Sequence, residues 1–114
     1  MSTCRIVDED GTARSSCDLD DLFTLLATSH RRRLVTVLER TDDDWIARER
    51  LLSTVAATTG VDERTLRRKF VHVHRPMLED LGLIDYDDHS EAIRYYRCEC
   101  LSDVVSLVDR WTDS

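Results

Sequence analysis

Apolar residues first recur at helical spacing just beyond Asp18. Leu19, Leu22, Phe23 and Leu26 start the pattern, and Leu34, Val37 and Leu38 extend it to about Thr41. Asp18 is a good N-cap, and Asp20 and Asp21 fall in a first turn, where the helix dipole favours carboxylates. Ser29 leaves open whether this is one helix or two. After the polar turn Thr41-Asp42-Asp43-Asp44, the triplet Trp45-Ile46-Ala47 is long enough only for a short strand. Leu51, Leu52, Val55 and Ala56 then mark a helix that stops at Gly60, a natural C′ residue.

The clearest start signal follows. Asp62 caps, Glu63 sits in the first turn, and Val61 faces Leu66 in the arrangement of a hydrophobic staple. These residues predict a long helix over about 62–81, ending at Gly82. Beyond it, Leu83–Tyr86, a polar turn over Asp87–Glu91 and Ile93–Cys98 read as a β-hairpin. Ser102 then caps a last helix, whose Val104, Leu107, Val108 and Trp111 form an i, i+3, i+4, i+7 stripe. Residues 1–17 show no periodicity and are expected to be a disordered arm. Helix, short strand, helix, turn, longer helix and hairpin is the element order of a winged helix-turn-helix. The expected fold is therefore α+β, with a winged-helix domain over 18–100 and a C-terminal helix over 101–114 that is a candidate dimerisation element.

Length and charge narrow this picture. The chain of 114 residues suits one small domain. It has no apolar run approaching a membrane span and no apolar signal core after Met1-Ser2-Thr3-Cys4-Arg5, so a cytoplasmic location is expected. Formal net charge is -7; 16 of the 23 acids are Asp, and Lys69 is the only lysine among the 16 bases. Such an Asp-rich, Lys-poor surface resembles that of salt-in halophiles. At molar salt the Debye length is about 3 Å, so only local charge governs a partner.

Local charge is concentrated in one place. Between Arg64 and Arg75 the chain gathers five Lys/Arg and two His with no carboxylate among them. At about 100° per residue, Leu66, Phe70, Val73, Met77 and Leu81 share one arc of this helix and should face the core. Arg64, Arg68 and Arg75 cluster on the opposite side, flanked by Arg67 and His72. A cationic stripe on the second helix of a helix-turn-helix is what phosphate neutralisation and major-groove reading require. Arg64, Arg67 and Arg68 lie nearest the helix N-terminus and are the leading base-contact candidates, with His72, Arg75 and Arg94 beside them. The blander alternative is that these arginines pair with the protein's own aspartates.

Pro76 removes the N–H that would bond the His72 carbonyl and presses on that turn, at about 3 kcal/mol in an ordinary helix interior, so a kink is expected after His74. A second basic cluster, His30-Arg31-Arg32-Arg33, would oppose the dipole of a helix starting at Ser29. That hints at a binding or interface role, although such residues more often pair with neighbouring acids.

Three segments, LFTLLATSHRRRLVTVLER, VHVHRPMLEDLGLIDYD and IRYYRC, resemble a winged-helix family common in haloarchaea. The match runs from about Leu19 to Cys98 and rests on the spacing of His72, His74, Pro76, Leu78, Gly82, Tyr86 and Asp87. The family is generally treated as ArsR-like transcription regulators, so the resemblance implies that fold and, by analogy, regulation through DNA. The wing tip Asp87-Asp88-His89-Ser90-Glu91 departs from a phosphate-contacting wing by being acidic, which leaves only Arg94 and Arg97 there to help.

Other chemistries compete with this reading. His72, His74, His89, Cys98 and Cys100 include zinc-type ligands, but residues two apart on a helix point about 200° away from each other, so His72 and His74 should not share an ion. Cys98 and Cys100 could share one face of a strand, yet Cys-x-Cys alone is unspecific; a metal- or redox-responsive regulator using them, with His89, is a secondary reading. Reduced thiols are the default for a cytoplasmic chain. With three glycines and no phosphate-binding loop or nucleophile–base pair, catalysis is not expected, nor is a cofactor. The remaining alternative is a protein-interaction module that kept the scaffold without DNA affinity. The expectation is a homodimeric DNA-binding regulator whose subunits pair through Val104, Leu107, Val108 and Trp111.

Overall fold

The computed structural model describes residues 4–7 and 13–112. Two helices open the domain, α1 (Leu19–Leu26) and α2 (Ser29–Arg40), so the chain does break ahead of Ser29. A two-residue strand β3 (Ile46–Ala47) leads into α3 (Arg48–Thr59). Gly60, at φ 73°, takes the left-handed conformation that ends α3, and its N–H donates to the Ala56 carbonyl at 2.9 Å. At Asp62 the carboxylate accepts from the Thr65 N–H at 3.2 Å and from its hydroxyl at 3.1 Å, starting the next helix where the sequence places it.

That helix runs as α4 (Glu63–Lys69), a π-helical turn (Phe70–His74) and α5 (Arg75–Asp80). The Arg75 N–H donates to the Phe70 carbonyl five residues back. The expected kink at Pro76 is thus resolved by widening the turn before it, which eases the proline ring's clash with the preceding carbonyl. A Schellman motif closes the helix, with Gly82 N–H on the Glu79 carbonyl and Leu83 N–H on the Leu78 carbonyl, each at 3.0 Å.

The wing strands are β4 (Ile84–Asp87) and β5 (Ala92–Tyr95), and with β3 they form an antiparallel sheet in the order β3-β5-β4. In register, Ile46 and Tyr86 flank Ile93. The last helix, α6, spans Glu99–Thr112. The molecule is therefore an α+β winged helix-turn-helix with an added C-terminal helix. Its core joins Leu25, Leu34, Val35 and Leu38 to Leu51, Leu52 and Val55, and these to Leu66, Phe70, Leu78, Ile84 and Ile93.

Three expectations are corrected. The N-terminal stretch is not an unordered arm over its described residues: β1 (Cys4–Val7) pairs antiparallel with β2 (Ala13–Cys17), and Ile6 is fully buried and bridges to Cys98. Ser102 is not an N-cap, because α6 begins three residues earlier and the Ser102 hydroxyl donates to Glu39 at 2.8 Å. Val73 does not face the core. It is 47% exposed, while His74 is 2% exposed, since an i→i+5 turn makes everything after it lag by roughly 90°. Leu78 takes the central position that periodicity assigned to Met77, which is half-buried.

Candidate nucleic-acid interface

The helix-turn-helix pairs α3 with the α4–α5 rod. Leu66 and Phe70 hold the rod's inner side against the core, which turns Arg64, Arg68, Lys69 and His72 outward to solvent. No carboxylate among the described residues pairs with Arg64 or Arg68.

The other two arginines of the predicted stripe are engaged within the protein. Arg67 forms an ion pair with Glu49 of α3. Glu49 also accepts from Arg48 at 3.2 Å, and Arg48 reaches Glu91 at 3.0 Å. Partial burial works the other way, but the hydrogen bonds from Arg48 and Arg67 hold the Glu49 carboxyl below its ordinary value. Arg75 donates to Glu79 at 2.6 Å and to Asp88 of the wing at 3.4 Å, and its guanidinium lies 3.8 Å from the centre of the Tyr86 ring. Arg75 therefore does not align with Arg64 and Arg68 as an unbroken α-helix would place it. The π turn rotates it toward the wing.

On the wing, Arg94 of β5 stands over Trp45 at 6.0 Å and Tyr96 at 5.7 Å from the ring centres. Arg97 is tied to the Glu39 carboxylate at 3.0 Å and the Glu39 carbonyl at 2.9 Å. The tip is acidic: Asp87 accepts from the Ser90 hydroxyl at 2.6 Å and from the His89 N–H at 3.2 Å, and these bonds lower its carboxyl below its ordinary value.

Elsewhere the basic cluster of α2 divides by role. Arg31 donates to the Leu25 and Thr24 carbonyls at 2.8 and 2.9 Å, and Arg32 to Leu26 at 2.7 Å. Neither is paired with an acid among the described residues. Both satisfy the orphan carbonyls at the C-terminus of α1, where cations also suit the dipole. Arg33, by contrast, lines a groove of about 410 Å³ between α2 and α3 with Arg40, Arg50 and four threonines. Asp42 and Asp43 line it too, and Asp43 pairs with Arg50 at 3.1 Å, so the groove carries little net charge to select a ligand.

Cys98 and Cys100 do not share a strand face. Cys98 is buried and disulfide-bonded, so the default of reduced thiols does not hold for it, whereas Cys100 is exposed in the first turn of α6 and not in a disulfide. His89 sits apart at the wing tip, and among the described residues no three His, Cys, Asp or Glu side chains group as metal ligands. On α6, Leu101 and Val105 enter the core, Val104 and Val108 are half-buried, and Leu107 is 52% exposed. The side chain of Trp111 lies outside the described residues. No helix of the described residues is long and apolar enough to cross a membrane.

Glu49 and Asp88, which decide how much of the stripe is open, carry no signal in the sequence: they lie 18 and 13 residues from the arginines they hold. Comparison with protein-family models, curated proteins and solved structures finds no match to this chain.

Proposed function

We propose that the protein is a DNA-binding transcription regulator that meets duplex DNA along the outer side of the α4–α5 rod. The observation that carries this reading is the pair Arg64 and Arg68: both are exposed on the second helix of the helix-turn-helix, one turn apart, and unneutralised among the described residues. Guanidinium groups in that position suit phosphates or guanine edges in the major groove. Lys69 and His72 extend the same surface. The resemblance to the haloarchaeal winged-helix family points the same way, as does the exposed Leu107 of α6, which suits pairing of two copies on adjacent half-sites.

Two observations favour a protein-interaction module instead: the acidic wing tip, and the internal pairing of Arg67 and Arg75. Fluorescence anisotropy of a labelled random-sequence duplex over a salt series separates the two readings. A DNA-binding protein gives a linear loss of log affinity with log salt, and Arg64→Ala with Arg68→Ala flattens that slope by about 2. Absence of duplex binding by the wild type at every salt sinks the DNA reading.

A further inference from the structure

Two chemically misplaced residues sit side by side in the π turn. His74 is buried with both ring nitrogens lacking a partner, while the apolar Val73 beside it is exposed to water. Buried polar atoms in native proteins are nearly always satisfied, and π turns are uncommon, so their coincidence inside a candidate recognition helix calls for a reason.

The helix wheel supplies one. In an unbroken α-helix, counting about 100° per residue from Phe70, Met77 falls near the middle of the buried arc at about -20°, with Val73 on one side of it at about -60° and His74 at the other edge at about 40°. Arg75 then lies at about 140°, between Arg64 at about 120° and Arg68 at about 160°. The π turn sets the second half of the rod back by roughly 90°, which buries His74 and Leu78 and swings Arg75 onto Tyr86 and Asp88. Hydrophobic spacing favours the first register, and Pro76, which an α turn would press against the His72 carbonyl, favours the second.

We propose that Pro76 and His74 are positioning residues that set the rotational register of the second half of the recognition helix, and so decide whether Arg75 faces DNA with Arg64 and Arg68 or is held by the protein's own wing. In the observed register Arg75 is withheld. Rotation to the α register releases it, returns Val73 to the core and carries the imidazole toward solvent, away from His30 and Arg31 of α2 and Lys69 of α4, the cationic groups that face it. The inference rests on the DNA-binding reading for its consequence, but the register itself is observable without DNA.

Pro76→Ala is the direct test, and alanine, the best helix former, favours folding of the variant. In it the His74 imidazole, followed by NMR titration, moves from about 4 toward its ordinary 6.5. Arg75→Ala weakens duplex binding about tenfold in the Pro76→Ala background and within about twofold in the wild type. A second variant, Tyr86→Leu with Asp88→Asn and Glu79→Gln, removes every partner among the described residues that holds Arg75 and tightens duplex binding. A His74 that still titrates near 4 in Pro76→Ala overturns the register assignment. Equal effects of Arg75→Ala in both backgrounds, or no gain on releasing the wing, overturn its consequence for Arg75. If no variant binds any duplex, the DNA reading fails while the titration still decides the register.

Discussion

Glu39 shows how much one carboxylate can organise when its surroundings are half dry. Its side chain, 12% exposed, accepts from the Tyr95 hydroxyl at 2.5 Å, the Ser102 hydroxyl at 2.8 Å and Arg97 at 3.0 Å, joining α2 to β5 and α6. Glu39→Ala leaves three donors without their acceptor and should lower stability by about 2–4 kcal/mol, read from urea midpoints. His74 acts in the opposite sense. Burial first, then the charges of Arg31, His30 and Lys69, push its folded pKa down to about 4, below the ordinary 6.5 it regains on unfolding. Above pH 6.5 both states hold a neutral ring and nothing changes. As pH falls from 6.5 to 4, the unfolded chain takes up a proton that the folded one resists, so about 3 kcal/mol of stability is lost across that window. His74→Leu should remove this part of the pH dependence and, by deleting two orphaned nitrogens, raise stability at neutral pH by about 1–3 kcal/mol. Subtracting the variant's urea midpoints from those of the wild type isolates the effect, because the carboxylates are common to both.

Among the elements, those whose signals are local were legible in the sequence. Gly60 and Gly82 end helices because only a left-handed residue closes them cheaply, and Asp62 starts one because its carboxylate meets an unpaired N–H. Asp62→Ala should cost about 1 kcal/mol and speed hydrogen exchange in the first turn of α4 alone. The π turn was half legible. Pro76 announced trouble, but a kink and a widened turn relieve the same clash, and the choice between them depends on what the rotated residues pack against. The N-terminal hairpin was illegible because Cys4–Val7 and Ala13–Cys17 are too short and too polar to show an apolar pattern of their own; buried Ile6 ties them to a core built elsewhere. The same distance effect hid the site. Neither pairing with acids nor a binding role, the two readings open for Arg31 and Arg32, is what they do, because their carbonyl partners are backbone groups with no side-chain signature. The partner of Arg67, Glu49, is remote in sequence, whereas Arg75 has one remote partner, Asp88, and one at the i+4 spacing of its own helix, Glu79.

At the scale of the whole molecule, the balance of -7 acts on folding and on binding with opposite signs. Asp20, Asp42, Asp44, Asp80 and Asp103 are exposed and without a cationic partner among the described residues. Their mutual repulsion opposes the compact state, and it is strongest where Asp42, Asp43 and Asp44 follow one another, with only Asp43 held by Arg50. Screening shortens the reach of these charges from about 10 Å at 0.1 M salt to about 3 Å at 1 M. Surface pairs such as Arg50–Asp43 weaken over the same range, but exposed pairs are worth well under about 1 kcal/mol each, so the lifted repulsion wins. The melting temperature should therefore rise by about 5–10 °C between 0.1 and 2 M KCl, and Asp42→Asn with Asp44→Asn should raise the low-salt value and flatten the rise. On the proposed DNA-binding reading, duplex affinity falls across that range, since each phosphate contact displaces counterions less favourably as salt increases. A melting temperature that stays level or falls with KCl would mean that the exposed aspartates are too far apart to repel in the folded state, and that salt reaches this protein only through its cationic helix.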